Sequence, residues 1–461
     1  MNKKIVEITD LTEQGQGVAR GEDGKVFFIK NGLPQEKVEV AIKKDKKKFA
    51  LGEATSFLST SKERQEPFCP HYKICGGCNL QHLKYKSTLE YKSKWIVDTF
   101  KKIANLTIKA PTIEGMETPY NYRNKVVFHG KYYKGDYILG FNEKNSNFLF
   151  KVKVCHLIPK AFMEIKETLE TLCYHHHIFP DDVMIKTNGK DYLLYLNILN
   201  SYPYEDMRKL IHSMLEAYPA IKGISHRLQI GAELETITMA LNNFNYEVNS
   251  KSFFQVNTKE AEVLYDKLEK MIEPLAINTL YDLYCGVGSI GIYLAHKVNQ
   301  VYGIEAVAES IKMAKKNATL NNIQNIGFHL GNVEISLAYL TDDDSCVLLD
   351  PPRGGVEEAV IEHLLTLKPK YILYVGCDLG KAARDIKRFT EDGDYAVSSV
   401  DGVDMFPWTG HVETVVLLSK LHTDHHINVT LEMDDLDLTA TKISAPWKNV
   451  NRVDRKSEIK F

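Results

Sequence analysis

The second half of the chain repeats one pattern, in which a short apolar segment is followed by a segment with helical periodicity. From about residue 250 onward, the apolar segments begin at Leu280, Gln300, Cys346, Tyr371 and Thr414. Strands that alternate with helices in this way form an α/β fold with a doubly wound, mostly parallel sheet. Because such sheets bind ligands at the carboxyl ends of their strands, the residues that follow each apolar segment are the first candidates for function.

The first half of the 461-residue chain divides into two further domains. Residues 1–58 contain about five short strands punctuated by glycines, which predicts a small β-barrel of the OB type. Residues 59–248 mix strands and helices and predict a central α+β domain. We therefore assign residues 249–420 to the sheet domain and residues 421–461 to a tail of unknown role.

The charge is distributed unevenly along the chain. Residues 1–160 carry 29 Lys and Arg against 17 Asp and Glu, whereas residues 161–461 carry 29 against 43. A basic front half is typical of a protein that binds a polyanion, although solvated surface lysines give the same count. The sequence contains neither a signal peptide nor an apolar run near the roughly eighteen residues of a membrane span. We therefore expect a cytoplasmic protein with no membrane contact.

A glycine-rich turn follows the first strand of the sheet domain. In Asp282-Leu-Tyr-Cys-Gly-Val-Gly-Ser, the two glycines let the backbone approach a ligand closely, and Glu305 at the end of the next strand suits a ribose diol. Gly291 completes a spacing that dinucleotide sites also use, so the glycines alone do not exclude NAD. The later segment Asp350-Pro-Pro-Arg-Gly is foreign to NAD sites and resembles the adenine-side motif of S-adenosylmethionine-dependent methyltransferases.

Two further strand ends carry candidate catalytic groups. Cys377 comes directly after an apolar strand, where a thiolate can act as a nucleophile, although a single buried cysteine is often inert. His411 and Glu413 lead into the last strand and are candidates for a general base, with a structural turn as the alternative.

Three of the eight cysteines, Cys69, Cys75 and Cys78, lie within ten residues. Such a cluster predicts a metal site, and Cys155 is the natural fourth ligand. Four thiolates suit either zinc or an iron–sulfur cluster, and the spacing does not decide between them.

These motifs, in this order, resemble the RNA (uracil-C5-)-methyltransferases, and most of all the branch of that family that holds an iron–sulfur cluster and modifies 23S ribosomal RNA. The resemblance covers residues 1–420 and includes Gly15-x-Gly-Val-Ala-Arg, Tyr122-Arg-Asn-Lys and Ser252-Phe-Phe-Gln-Val-Asn. It implies a Rossmann-like class I methyltransferase domain, an N-terminal TRAM barrel that binds RNA, and a central iron–sulfur domain.

The resemblance also implies roles for individual residues. Cys377 takes the place of the nucleophile and Glu413 that of the base, although Gly376-Cys-Asp-Leu stands where the family usually has Ser-Cys-Asn-Pro. The positions that match the S-adenosylmethionine site are Gln255, Tyr284, Ser289, Glu305, Asn332 and Asp350. The positions that match the ligands of a [4Fe–4S] cluster are Cys69, Cys75, Cys78 and Cys155.

The implied reaction gives 5-methyluridine in 23S ribosomal RNA. The Cys377 thiolate adds to C6 of the uracil, C5 attacks the cofactor methyl group, and Glu413 removes the C5 proton before the thiolate leaves. The protein is expected to work as a monomer without an obligate protein partner. Two alternatives remain open, namely a tRNA uracil-C5-methyltransferase and a non-catalytic RNA-binding factor in ribosome assembly.

Overall fold

The computed structural model of the chain describes residues 3–133, 135–227, 235–333 and 344–421. The predicted tail lies outside these residues, apart from Leu421. Among the described helices, none combines the length and the apolar character that crossing a membrane requires.

The N-terminal barrel is a six-stranded sheet, one strand more than the glycine spacing predicts. Alternate side chains point to one side of each strand, and Phe27, Ile29, Val38 and Val40 form a small separate core there. The strand order is β1-β5-β6-β4-β3-β2. The strands are β1 (Lys3–Glu7), β2 (Asp10–Leu11), β3 (Gln16–Arg20), β4 (Val26–Lys30), β5 (Lys37–Asp45) and β6 (Phe49–Ser59).

The central region begins with helix α1 (Tyr85–Thr99), which continues into one π-helical turn (Phe100–Ala104). The predicted helix over residues 84–104 is thus confirmed, although its last turn is wider than an α-helical turn. The helix ends at Asn105, whose φ of 58° lies in the left-handed region that asparagine tolerates well.

A second six-stranded sheet follows, with the order β12-β11-β10-β7-β8-β9. Two helices pack against it, α2 (Lys160–His176) and α3 (Tyr204–Ala217), and they share an apolar core with its strands. The strands are β7 (Lys125–Tyr133), β8 (Asp136–Asn142), β9 (Leu149–Lys151), β10 (Asp182–Thr187), β11 (Tyr192–Asn197) and β12 (Ile221–His226). A hairpin of β13 (Thr236–Leu241) and β14 (Phe244–Asn249) leads into the last domain.

The C-terminal domain contains the predicted doubly wound sheet, with seven strands in the order β17-β16-β15-β18-β19-β21-β20. Its strands are β15 (Thr279–Leu283), β16 (Gln300–Glu305), β17 (Ile326–Leu330), β18 (Ser345–Leu349), β19 (Tyr371–Gly376), β20 (Tyr395–Val403) and β21 (Glu413–Lys420). Its helices are α4 (Thr258–Ile272), α5 (Ser289–Leu294), α6 (Ala308–Leu320), α7 (Glu358–Leu367) and α8 (Leu379–Glu391).

The direction of β21 determines where the candidate site forms. Strands β15 to β19 are parallel, whereas β21 is antiparallel to both of its neighbours. The first residue of β21 therefore lies at the edge where the parallel strands end. Glu413 consequently lies at the same edge of the sheet as the residues that follow β16, β18 and β19.

Candidate active site

The predicted nucleophile and base lie at the ends of neighbouring strands. Gly376, the last residue of β19, pairs with Thr414 of β21 in an antiparallel register. One position further along, the same register places Cys377 beside Glu413. Cys377 is partly exposed, whereas the Glu413 side chain is buried. The structure therefore brings together a thiol that substrate can reach and a carboxyl shielded from water.

The acidic groups of this site perturb one another. Burial, and then the charge of Glu413, raises the pKa of Cys377 to about 11. Burial, and then the charge of Asp350, raises the pKa of Glu413 to about 8, while burial alone raises that of Asp350 to about 7. Arg353 opposes the shifts of both Cys377 and Glu413. Elevated pKa values of this kind are typical of groups that exchange protons during a reaction.

Arg353 is a site residue that the sequence motif contains but that we did not single out. It lines a small pocket together with Cys377, Tyr374 and Lys381. Asp385 of helix α8 holds the end of the Pro-Pro-Arg-Gly loop that contains Arg353. Its carboxylate accepts hydrogen bonds from the Val356 amide and the Tyr374 hydroxyl, both at 2.8 Å. This buried carboxylate therefore holds one wall of the pocket.

The glycine turn after β15 forms the second part of the site. Tyr284, Gly286 and Gly288 all have positive φ angles, and a Cβ on Gly288 would lie 2.9 Å from the Phe328 ring. Glu305 accepts hydrogen bonds from the amides of Gly286 (3.1 Å) and Val307 (2.9 Å). The Glu305 carboxylate is thus fixed next to the turn, where the sequence predicts that a ribose binds.

The remaining predicted cofactor residues have different surroundings. Gln255 is largely buried, and its main-chain carbonyl accepts a hydrogen bond of 2.8 Å from the Asn124 side chain. Ser289 begins α5, and its hydroxyl accepts a hydrogen bond of 2.7 Å from Tyr265. Asn332 is exposed, one residue after Gly331, whose amide donates to the Glu305 carbonyl at 3.0 Å.

A buried ion pair holds the segment before Glu413. The ammonium group of Lys92 on α1 contacts the carboxylate of Asp404, and both side chains are completely buried. Tyr85 donates a second hydrogen bond to Asp404 (2.6 Å), and Lys92 also donates to the Phe406 carbonyl (3.1 Å). His411, the other candidate for the base, is exposed. Helix α1 therefore fixes the segment that leads into β21.

Asn79 joins three segments of the chain. Its side chain donates to the Glu13 carbonyl of the barrel (2.7 Å) and accepts from the Gly410 amide (2.9 Å), and its own amide donates to the Trp408 carbonyl (3.2 Å). A Cβ on Gly410 would lie only 1.8 Å from the Glu13 carbonyl oxygen. The barrel, the loop that carries Cys69, Cys75 and Cys78 (the cysteine loop) and the loop before Glu413 are thus closely packed at this point.

The four clustered cysteines come close in space. Cys78 and Cys155 pack in one cluster with Trp408, and Cys75 forms an isolated β-bridge with Glu143. Burial, and then the charge of Cys155, raises the pKa of Cys78 to about 12. Burial raises that of Cys155 to about 11, and the charges of Cys75 and Cys69 act in the same direction.

The structure does not itself show the predicted metal site. Across residues 3–133, 135–227, 235–333 and 344–421, no group of three or more His, Cys, Asp or Glu side chains is arranged to hold a metal ion.

Comparisons with known proteins agree with this architecture. The model of the tRNA (uracil-5-)-methyltransferase family matches residues 221–421, and that of the TRAM domain matches residues 4–55. The crystal structure of Pyrococcus abyssi tRNA (uracil-54, C5)-methyltransferase in complex with S-adenosyl-L-homocysteine has the same fold. Its TM-score is 0.68 at 23% identity, over 90% of this chain and 99% of that one.

Sequence relatives extend over almost the whole chain. An uncharacterized RNA methyltransferase of Bacillus cereus is 32% identical over 446 residues, which cover 90% of this chain and 96% of the relative. An uncharacterized RNA methyltransferase of Clostridium acetobutylicum is 33% identical over 450 residues, or 91% and 97% of the two chains. The chain therefore belongs to the RNA methyltransferases of the tRNA (uracil-5-)-methyltransferase family, with a TRAM domain at its N-terminus.

Proposed function

We propose that the protein methylates C5 of a uridine in 23S ribosomal RNA, with S-adenosylmethionine as the methyl donor and Cys377 as the nucleophile. The observation that carries this proposal is the position of Cys377 beside Glu413 at the edge of the sheet. A nucleophile and a base are the two groups that substitution at a uracil carbon needs, because C5 is too weakly nucleophilic to react unaided.

The two residues act in sequence. Once the Cys377 thiol has lost its proton to solvent, the thiolate sulfur forms a bond to C6 of the uracil, and the electrons of the C5–C6 double bond move to C5. C5 then takes the methyl group, so the ring holds sulfur on C6 and both methyl and hydrogen on C5. Glu413 removes that hydrogen as a proton, the double bond re-forms, and the thiolate leaves. A carboxylate whose pKa is raised to about 8 is a stronger base than an ordinary glutamate, which suits this step.

Four predicted residues are suited to hold the methyl donor, which supplies an electrophilic methyl group when bound. Glu305 is held at the glycine turn where a ribose would bind, and Tyr284, Gln255 and Asp350 complete the assignment. A Cβ at Gly286 would meet no described atom within 4 Å, so the turn leaves open space for a ligand there, which is the observation that favours the fit. We assign smaller contributions to Ser289, whose hydroxyl already contacts Tyr265, and to Asn332.

We also propose that the four clustered cysteines bind a [4Fe–4S] cluster. Each thiolate of such a cluster binds a different iron, so the sulfurs surround a body instead of converging on one ion. Four close, partly buried thiols are compatible with that requirement. The cluster would connect the loop that contains Cys69, Cys75 and Cys78 to Cys155 beyond β9. No step of the reaction involves it.

The choice of ribosomal RNA depends on the combination of the TRAM domain with the four cysteines. A tRNA substrate is the second candidate, because the Pyrococcus abyssi protein of the same fold is named a tRNA (uracil-54, C5)-methyltransferase. The two candidates share the chemistry at Cys377 and differ only in the RNA that brings the uridine to it.

Transfer of a labelled methyl group separates these candidates. Unmodified 23S ribosomal RNA and unmodified tRNA are each incubated with the protein, with Cys377→Ala, and with Cys173→Ala, which removes a buried thiol from the central core. We expect label at C5 of uridine in ribosomal RNA with wild type and Cys173→Ala only. Label in tRNA alone would replace the ribosomal proposal, and transfer to neither RNA would favour a non-catalytic assembly factor.

A further inference from the structure

Two segments form one exposed surface at the far end of the cysteine loop. The Lys144 amide donates to the Ile74 carbonyl (2.8 Å), the Gly76 amide to the Asn142 carbonyl (3.3 Å), and the Lys153 amide to the His71 ring (3.1 Å). These bonds join residues 71–76 to residues 142–153, the region that contains the β8–β9 hairpin. We call the outer side of these two segments the loop surface.

The loop surface combines exposed apolar groups with positive charge. Phe148 at the hairpin tip is 70% exposed and Ile74 is 42% exposed, although both side chains are of types usually buried. Lys73, Lys151 and Lys153 are exposed as well. The two segments contain four lysines and a single acidic residue, Glu143.

The positive charge extends from the loop surface to the barrel. The Lys144 ammonium lies 4.3 Å from the centre of the Tyr72 ring, and the charge of Lys30 at the end of β4 acts on it. Lysines that repel one another gain most from a partner that supplies negative charge at several points.

We propose that the loop surface binds the substrate RNA at nucleotides outside the target uridine, with phosphates on Lys73, Lys151 and Lys153 and an unpaired base stacked on Phe148. This inference rests on the proposed function only in that it takes RNA as the substrate. Single-stranded nucleic acids bind where aromatic side chains offer a stacking face and lysines follow the backbone. A protein partner would use the apolar groups but would not need four lysines against one glutamate.

The position of the surface fits this role. The cysteine loop leads from residues 71–76 to Asn79. The side chain of Asn79 contacts the barrel at Glu13 and the loop before Glu413 at Gly410. The surface is therefore connected to the barrel and to the loop that precedes Glu413.

The test measures the affinity of the protein for unmodified 23S ribosomal RNA at several salt concentrations. Every variant also carries Cys377→Ala, so that we expect no methyl transfer during the measurement. Phe148→Ala and the triple variant Lys73→Ala/Lys151→Ala/Lys153→Ala are compared with Tyr204→Ala and Arg208→Ala/Lys209→Ala. These controls remove exposed groups of the same kinds from α3 of the central region. Visible absorption and thermal unfolding of each variant confirm that the cysteine loop is intact.

We expect Phe148→Ala to weaken binding by about fivefold to a hundredfold, as the loss of one stacked base does. The triple variant should reduce the slope of log K against log salt by about 2, the value for three single-strand phosphate contacts. The α3 controls should bind as the parent does. Unchanged binding in both test variants, or equal losses in the controls, would overturn the proposal. Wild-type protein that binds RNA at this surface but transfers no methyl group would refute the proposed function and leave this inference standing.

Discussion

Cys377 lies beside Glu413, because the pairing of Gly376 with Thr414 continues by one position at the ends of β19 and β21. The charge of Glu413 is, after burial, the largest cause of the raised pKa of Cys377. In the free protein, the proposed base thus opposes ionisation of the proposed nucleophile. Changing one residue should therefore alter the reactivity of the other in a defined direction.

Glu413→Gln should separate these two effects. Turnover should fall by about 10²–10⁴-fold, the usual loss when a general base is removed. Alkylation of Cys377 by iodoacetamide at pH 8 should become faster, because removing the negative charge lowers the pKa of the thiol. Mass spectrometry of the modified peptide gives the rate. Slower alkylation in the variant would show that Glu413 assists the thiolate instead of opposing it.

The rate of single-turnover methyl transfer should rise with pH across the neutral range. A carboxyl whose pKa is raised from 4.5 to about 8 is protonated below that value and becomes a base only above it. The Cys377 thiol, with a pKa of about 11, changes in the same direction. Rates measured between pH 6 and 9.5, with protein folding checked at each value, test this expectation. A flat profile would contradict the electrostatic description of the site.

Arg353 should shift that profile. Its positive charge lowers the pKa of both Cys377 and Glu413, so Arg353→Ala should move the rise in rate to higher pH and slow the alkylation of Cys377. Arg353→Lys, which keeps the charge, should restore part of the alkylation rate. An alanine variant with faster alkylation would show that Arg353 shields the thiol instead of activating it.

Asp404→Ala should strongly destabilise the protein, because it leaves the Lys92 charge buried without its carboxylate. The expected loss in the free energy of unfolding is about 3–5 kcal/mol. Asp206→Asn removes an exposed partner of Lys209 and should cost less than about 1 kcal/mol. Urea denaturation followed by circular dichroism measures both. Similar small losses in the two variants would mean that Lys92 finds another partner.

The sequence predicts those parts of the fold that depend on local pattern. β15 and β18 are buried along their whole length, so both appear in the sequence as mainly apolar segments. β17 and β20 were not predicted, because β17 is partly exposed and β20 is polar with an irregular register between Val397 and Ser399. The positions of Cys377 and Glu413 at the ends of predicted strands were sufficient to identify both as candidate site residues.

Contacts between distant segments could not be predicted in this way. The ion pair of Lys92 with Asp404 joins residues that are 312 positions apart in the chain. The sequence of α1 by itself predicted only a basic helix. The spacing of Thr88, Lys92, Trp95 and Ile96 on one helical face was the one local signal that Lys92 is buried. The role of Arg353 likewise depends on its position near Cys377, which no local pattern reveals.

RNA that contains 5-fluorouridine reveals whether a covalent bond forms between Cys377 and the target uridine. Glu413 cannot remove fluorine from C5 as it removes a proton, so elimination is blocked after methyl transfer. We predict a complex of protein and RNA that withstands denaturing electrophoresis, requires S-adenosylmethionine, maps to Cys377 and is absent in Cys377→Ala. Methyl transfer to ordinary RNA without any such complex, or a complex that persists in Cys377→Ala, would contradict the account.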